Sequence, residues 1–487
     1  MTLISFVVVY LLVSIAVGVY AAVKVSNTSD YANAGRSLPL IMIVTTTFAT
    51  WFGSETVLGI PSKVIEGGLT KTVEDPFGSS LCLIFVGMFF ASKLYRMNLL
   101  TIGDFYRARY GKGIEMFTSA VIMVSYLGWV AAQITALGLV FTLLSHGAIS
   151  MTMGMIIGTA VVLLHIIFGG MWSVAITDFL QMIIVIIGLS LIAWFAADLA
   201  GGADKVIAAA QQREMFRLFP DAGDLHGWLF WISAGITIMI GSIPQQDVFQ
   251  RVMAAKNAET AVRGPIIGGV MYFLFAFVPM FIGVAAFVIM PDVAATLLKE
   301  DSQKILPTLV IERMPIWLQI MFFGALLSAI MSTASATLLA PSTTFVENIL
   351  KNFVKLSDRR QLHAMKVTLF LFTCVVLAYS IAMQGTPIYE LVSMAYQFPV
   401  VGAFWPLVCG LYWKHSTKQG AIFSIALGMS AWALLSLTPV GQVFPSVLGG
   451  FLMAGVGMIG GSLLPTQGNI AHRAHTAKHG AHSHAHH

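Results

Sequence analysis

Apolar residues in this chain come in long unbroken runs. They show neither the two-residue alternation of a half-buried strand nor the single stripe of a soluble helix. A helix needs about 20 apolar residues to cross a bilayer. Thirteen runs suit that length, near 3–25, 39–62, 76–95, 115–144, 149–168, 173–200, 227–246, 265–290, 316–348, 365–384, 388–413, 419–438 and 444–464. They predict an all-α integral membrane protein with about 13 transmembrane helices in one polytopic domain, residues 1–465. The first run is too long for a leader peptide and no basic residue precedes it, so it is read as a retained helix. The longest hydrophilic stretches, 201–226 and 291–314, each have room for one amphipathic helix, and no soluble domain fits. Residues 466–487 form a tail holding seven of the 12 histidines, read as a solvated cytoplasmic segment with metal binding as the alternative.

Composition sharpens this picture. Of 487 residues, 57% are hydrophobic and 10% charged, whereas soluble domains carry roughly a quarter charged residues. A mostly water-facing surface, a disordered chain and a nucleic-acid binder are excluded. Thirteen crossings put the termini on opposite sides. With the N-terminus outside, nineteen of the 27 Lys and Arg residues fall inside. That bias predicts an N-terminus outside and a C-terminus in the cytoplasm, in a plasma (bacterial inner) membrane. Cys82, Cys374 and Cys409 all lie within apolar runs without a CxxC spacing, and are read as small core hydrophobes.

Two runs break the helical pattern. The second reads VTTTFATWFGSETVLGIPS, with hydroxyls, Gly53 and the acid Glu55 inside one span. The seventh reads AGITIMIGSIPQQDVFQR, with Gly241 and Pro244 close together. In lipid, unwound backbone is tolerated only where it lines a cavity or binds something. Paired interruptions in corresponding positions of two halves point to a transporter's midplane site. Here they open spans two and seven. That predicts two five-helix repeats, about 39–200 and 227–413, inverted because each repeat holds an odd number of helices. The ninth span crowds Ser328, Ser332, Thr333, Ser335 and Thr337. Ser328, Ser332 and Ser335 share a helix face, where they serve as hard oxygen ligands or simply permit close packing.

Five stretches, in order, carry a family resemblance: TIGDFYRARYG at 101–111, GGMWSVAITDFLQ at 169–181, GSIPQQDVFQRVMAAKNAETA at 241–261, SAIMSTASA at 328–336 and GLYWKHSTKQGA at 410–421. On these the chain resembles the sodium:solute symporter family, from its first helix to about residue 465. The resemblance implies thirteen helices and a leucine-transporter-like core of ten in 5+5 inverted repeats. It implies a co-transported Na+ held by backbone carbonyls at Ala49, Phe52 and Ala329 and by the hydroxyls of Ser332 and Thr333. A second sodium is implied at Asp178 and Ser335. Ala336 stands where that site expects another serine, so one ion is expected; Asp178 then reads alternatively as a junction charge facing cytoplasmic water. His415 stands where the family usually has Lys or Arg.

The substrate is expected beside the two breaks, lined by Trp51, Gly53, Ser54, Glu55, Thr56, Gln245 and Gln246. Trp129 and Gln133, four apart on one face of the fourth span, complete the lining. Glu55 is read as the one acid deep in a span, and an acid there costs at least ~3 kcal/mol. It pairs with a cationic group, accepts from unwound amides or carries a proton. FATWFG at 48–53 and IPQQDVFQRV at 243–252 look like the choline-transporter branch of the family, with Trp51 and Trp129 as two walls of an ammonium cage. Gln245 occupies the place of a third aromatic, so an amino acid or another small organic cation also fits, and a proline-like or carboxylate substrate stays open. The expected function is sodium-coupled symport of a small organic solute by alternating access, with one chain as the transport unit in membrane lipid. A solute sensor of the same fold is the alternative. The spans hold no HExxH, GxSxG or paired-carboxylate signature of an enzyme.

Overall fold

A computed structural model describes residues 2–465; the His-rich tail lies outside the described residues. The described chain is helical, and its only strand-like contact is an isolated bridge between Leu38 and Ala255. In chain order the helices are α1 (Thr2–Tyr20), α2 (Leu40–Trp51), α3 (Ile60–Gly67), α4 (Leu69–Arg96), α5 (Ile102–Tyr110), α6 (Lys112–Leu144), α7 (Met151–Ile166) and α8 (Gly170–Leu199). There follow α9 (Leu225–Gly241), α10 (Gln246–Ala254), α11 (Ala258–Ile289), α12 (Ile316–Asn352), α13 (Asp358–Ala382), α14 (Ile388–Gly402), α15 (Phe404–Tyr412), α16 (Lys418–Leu437) and α17 (Ser446–Leu463). Among the described residues nine helices are long and apolar enough to cross a membrane. Two bent pairs, α9 with α10 and α14 with α15, raise that to eleven, and α2 and α7 are shorter apolar helices. A count of thirteen therefore depends on how α2 and α7 cross.

Sequence dictates where the helices stop. Thr101 caps α5 and Asp104 returns the bond, a reciprocal capping box. Asn257 caps α11 by accepting from Thr260 N–H at 2.8 Å. Gly68 ends α3 with φ 72°, which a side chain disfavours. The polar stretches fold as short helices: Ala203–Gln212 in the first, Pro291–Glu300 and Ile305–Arg313 in the second.

Burial sorts the helices by depth. In the apolar window of α6, 83% of residues are buried, against 28% for α1, α13 and α16. So α6 runs through the middle and the other three face lipid. Around it α8 packs on α12, α14 on α6, and α11 on α2, while α16 and α17 pair at the edge. Of the three free cysteines, Cys82 and Cys409 are buried as expected. Cys374 is exposed on α13, because that helix shows most of its surface to lipid.

Candidate functional site

The first break separates α2 from α3. α2 stops because Phe52 leaves helical geometry (φ −89°, ψ 70°). Glycine is required next. A methyl group on Gly53 would sit 2.5 Å from Glu55 Oε2, 2.7 Å from Thr333 Oγ1 and 3.0 Å from Gln133 Oε1. The chain rewinds through a wide π turn, Glu55–Gly59, a form frequent at functional sites. Side chains take up the freed backbone. Ser54 N–H donates to Gln133 Oε1 at 2.9 Å, Thr56 Oγ1 to the Trp51 carbonyl at 3.3 Å, and Thr333 Oγ1 to the Ala49 carbonyl at 3.4 Å.

Glu55 lies at the centre, 2% exposed. Trp129 Nε1 donates to one of its oxygens at 3.0 Å and Gln133 Nε2 to the other at 2.7 Å. The shared face expected of Trp129 and Gln133 is thus turned onto Glu55. Trp51 packs edge-on against Trp129, with ring centroids 5.5 Å apart. Tyr396 of α14 lies 6.3 Å from Trp51 and 5.4 Å from Trp129. A third aromatic is therefore present, on an element to which the sequence pattern does not point. Gln245, at the place where the resemblance expects that ring, instead donates Nε2 to Ser125 Oγ at 2.7 Å.

The second break, Ser242–Gln245, bends α9 against α10 by 44°. Here Asp247 binds Tyr126: the tyrosine hydroxyl donates to Oδ1 at 2.6 Å and accepts from Asp247 N–H at 2.8 Å. Gln246 turns away from Glu55, and its Oε1 accepts the Ile102 N–H at 2.8 Å, tying α10 to the start of α5. A third break, at Ala403, bends α14 against α15 by 46°. The apolar pattern runs one helix through it, although Pro399, Gly402 and Pro406 mark it.

On α12 the hydroxyls take different partners. Ser328 meets Tyr10 of α1 at 2.6 Å. Ser332 donates to Asp178 Oδ1 at 2.6 Å, and Thr46 of α2 donates to Asp178 Oδ2 at 2.5 Å. The Ser335 hydroxyl is buried without a hydrogen-bond partner among the described residues, as is Trp51 Nε1. Ala329 is buried one turn from Thr333. Asp178 is fully buried, which corrects its reading as a junction charge facing water.

Glu55 is also not the one deep acid. Asp75, Asp247 and Glu115 are buried, and so is the Arg251 guanidinium. Arg251 donates through Nε and Nη2 to Thr50 Oγ1, at 3.1 and 2.6 Å, and through Nη1 to the Asp247 carbonyl at 2.7 Å. Tyr272 of α11 donates to Asp75 and shares a 3.0 Å hydrogen bond with Thr56. The EDP triplet at 74–76 is the signal for Asp75 in the sequence, masked because a proline beside acids also suits a plain helix start. Two clefts lie near α3: one of about 760 Å³ lined by Lys71, Glu74, Asp224 and Trp231, and one of about 420 Å³ lined by Glu66, Asp301 and Lys304. Neither contains Glu55.

Two broken helices thus meet around a buried acid, with Thr333 of α12 bonded to the Ala49 carbonyl of α2. The family description "Sodium:solute symporter family" matches residues 31–428. The chain belongs to the sodium:solute symporter family. This symporter is 27% identical over 454 residues to the human high affinity choline transporter 1, covering 88% of this chain and 75% of that one. It is 25% identical to the sodium/pantothenate symporter of Escherichia coli (strain K12), covering 88% and 89%. Its fold superposes on a Na+-coupled sialic acid symporter, solved substrate-bound and outward-open, with a TM-score of 0.82 at 19% identity over 95% and 98% of the chains. The fold is the leucine-transporter-like fold, in an integral membrane protein. The activity is sodium-coupled solute symport, and Na+ is the co-transported ion. Neither the fold nor these relatives favour the sensor alternative.

Proposed function

We propose that the solute is a small organic cation of the ammonium class, bound between Trp51, Trp129 and Tyr396 and facing Glu55. The observation that carries this reading is three aromatic rings gathered beside a buried carboxylate. Aromatic faces attract a desolvated cation by about 2 kcal/mol or more, and the carboxylate supplies the counter-charge. The three rings touch one another, so an occupant parts them. The similarity to choline transporters supports the same class. Gly53, Ser54 and Thr56 shape the floor, Gln133 orients Glu55, and Gln245 borders the second break; Gln246 serves the tie to α5.

One sodium ion is proposed between α2 and α12, on the carbonyls of Ala49, Phe52 and Ala329 and the hydroxyls of Ser332 and Thr333. The direct bond from Thr333 to the Ala49 carbonyl supports it. Ser332 turns from Asp178 to the ion on binding. Asp178 then holds Thr46 and balances Arg251, a role that leaves a second ion at Asp178 and Ser335 unneeded. Thirteen crossings, repeats at about 39–200 and 227–413, an outside N-terminus, a bacterial inner membrane and a monomeric transport unit complete the proposal. Sodium binding from outside fastens α2 to α12 and stabilises the adjoining solute site. Each ligand favours the same conformation, so each tightens the other.

Uptake into proteoliposomes under an inward sodium gradient tests the solute class. Ammonium compounds are expected to enter in preference to neutral and anionic solutes. Preferential uptake of a neutral sugar or a carboxylate removes the cation reading.

A further inference from the structure

Charge accounting in the core carries one step more, and it rests on the cation reading above. Arg251 is the one Lys or Arg side chain buried among the described residues. Its hydrogen-bond partners are Thr50 and the Asp247 carbonyl, and the carboxylates of Asp178 and Asp247 are buried in the same core. Glu55 and Asp75 have no such companion: neither forms an ion pair with a basic group among the described residues. Both are 2% exposed. Their link is short. Asp75 accepts from Tyr272, Tyr272 bonds Thr56, and Thr56 is the neighbour of Glu55.

Glu55 itself faces two ways. One oxygen meets Trp129 in the aromatic wall. The other shares the space beside Gly53 with Thr333 Oγ1 of the proposed sodium site, so a single methyl on Gly53 would strike both groups. Two cations drawn to one carboxylate compete, because the first to bind removes the charge that attracts the second. Symport demands the opposite sign of coupling. A second buried carboxylate resolves the conflict.

We propose that Asp75 is the second counter-ion of this site and the residue that makes sodium and a cationic solute bind together. With Glu55 and Asp75 both ionised, two negative charges that are not shared with Arg251 are available to sodium and an organic cation. Asp75 acts through charge and need not touch the solute, and is accordingly a positioning residue.

The test compares binding of an ammonium solute transported by the wild type, in detergent, with sodium and with potassium. Wild type is expected to bind it about tenfold more tightly in sodium, within the usual range for coupled sites. Asp75→Asn keeps the shape and an acceptor for Tyr272, and is expected to bring that ratio to one or below. Asp75→Glu is expected to restore it, and Tyr272→Phe to leave most of it in place. If Asp75→Asn folds by thermal shift and keeps the wild-type ratio, the proposal is overturned. If Asp75→Asn does not fold, Asp75→Glu and Tyr272→Phe decide: loss of coupling in Tyr272→Phe as complete as in a Glu55→Gln control assigns the effect to packing and overturns it. Should the wild type bind neutral solutes and no cation, the reading of the solute fails instead, before any variant is measured.

Discussion

Thr333 and Ser332 are the residues whose loss is read most simply. Each hydroxyl removed from a five-oxygen site weakens it by about 1–2 kcal/mol, so Ser332→Ala and Thr333→Ala are each expected to raise the sodium concentration for half-maximal uptake about tenfold. A sodium titration of uptake checks this; an unchanged midpoint in both variants withdraws the site. Asp178 makes a different prediction. Asp178 accepts from both Ser332 and Thr46; Asp178→Asn replaces one accepting oxygen by a donor and leaves a buried hydroxyl without its acceptor, at a cost of about 1–3 kcal/mol. A clear fall in Tm is expected with sodium absent as well as present. Some of this is legible in the sequence at the residue scale and some is not. Trp129 and Gln133 are legible because four residues apart on a helix is a geometric statement that sequence makes by itself. Tyr396 and Asp75 are not, since they reach the site from other helices and only three-dimensional packing brings them there.

Helices carry the next scale of prediction. On the side that the basic-residue count makes cytoplasmic, Asn348 at the end of α12 donates to Asp104 at 2.9 Å and Glu115 at 3.0 Å, and accepts from Thr101 at 2.7 Å. Gly103 lies against this cluster, and a methyl there would come within 2.2 Å of Asn348. Gly103→Ala is therefore expected to cost about 1–3 kcal/mol of stability, seen as a lower Tm in detergent, while a control Gly113→Ala meets nothing within 4 Å and leaves Tm in place. The breaks at Phe52–Ser54 and Ser242–Gln245 are legible because glycine, proline and polar residues inside an apolar run are costly in lipid unless they line a site. The Ala403 break is not, because the run is apolar on both sides of it from Phe398 to Trp413 and Pro399 and Pro406 are also compatible with a kinked helix.

At the scale of the molecule, scarcity of charge and length of run suffice for the membrane class, and they are incompatible with a soluble fold. The number of crossings is harder to read, since α2 and α7 are short and two spans are bent. Orientation rests on the distribution of basic residues. On a background with Cys374 replaced, a cysteine placed by Lys256→Cys is expected to react with a membrane-impermeant maleimide only after the cells are permeabilised. Reaction in intact cells inverts the topology. Alternating access gives the whole molecule a further property. Inward sodium carries charge down the membrane potential, about 2.3 kcal/mol per charge per 100 mV, and a cationic solute adds a second charge.

Uptake of an ammonium solute into proteoliposomes, with an inward sodium gradient and a potential that is negative inside, tests the account most directly. Accumulation that requires sodium, grows with the potential and is lost in Glu55→Gln is the result predicted. Equal uptake in sodium and in potassium, or no discrimination between cationic and neutral solutes, contradicts it.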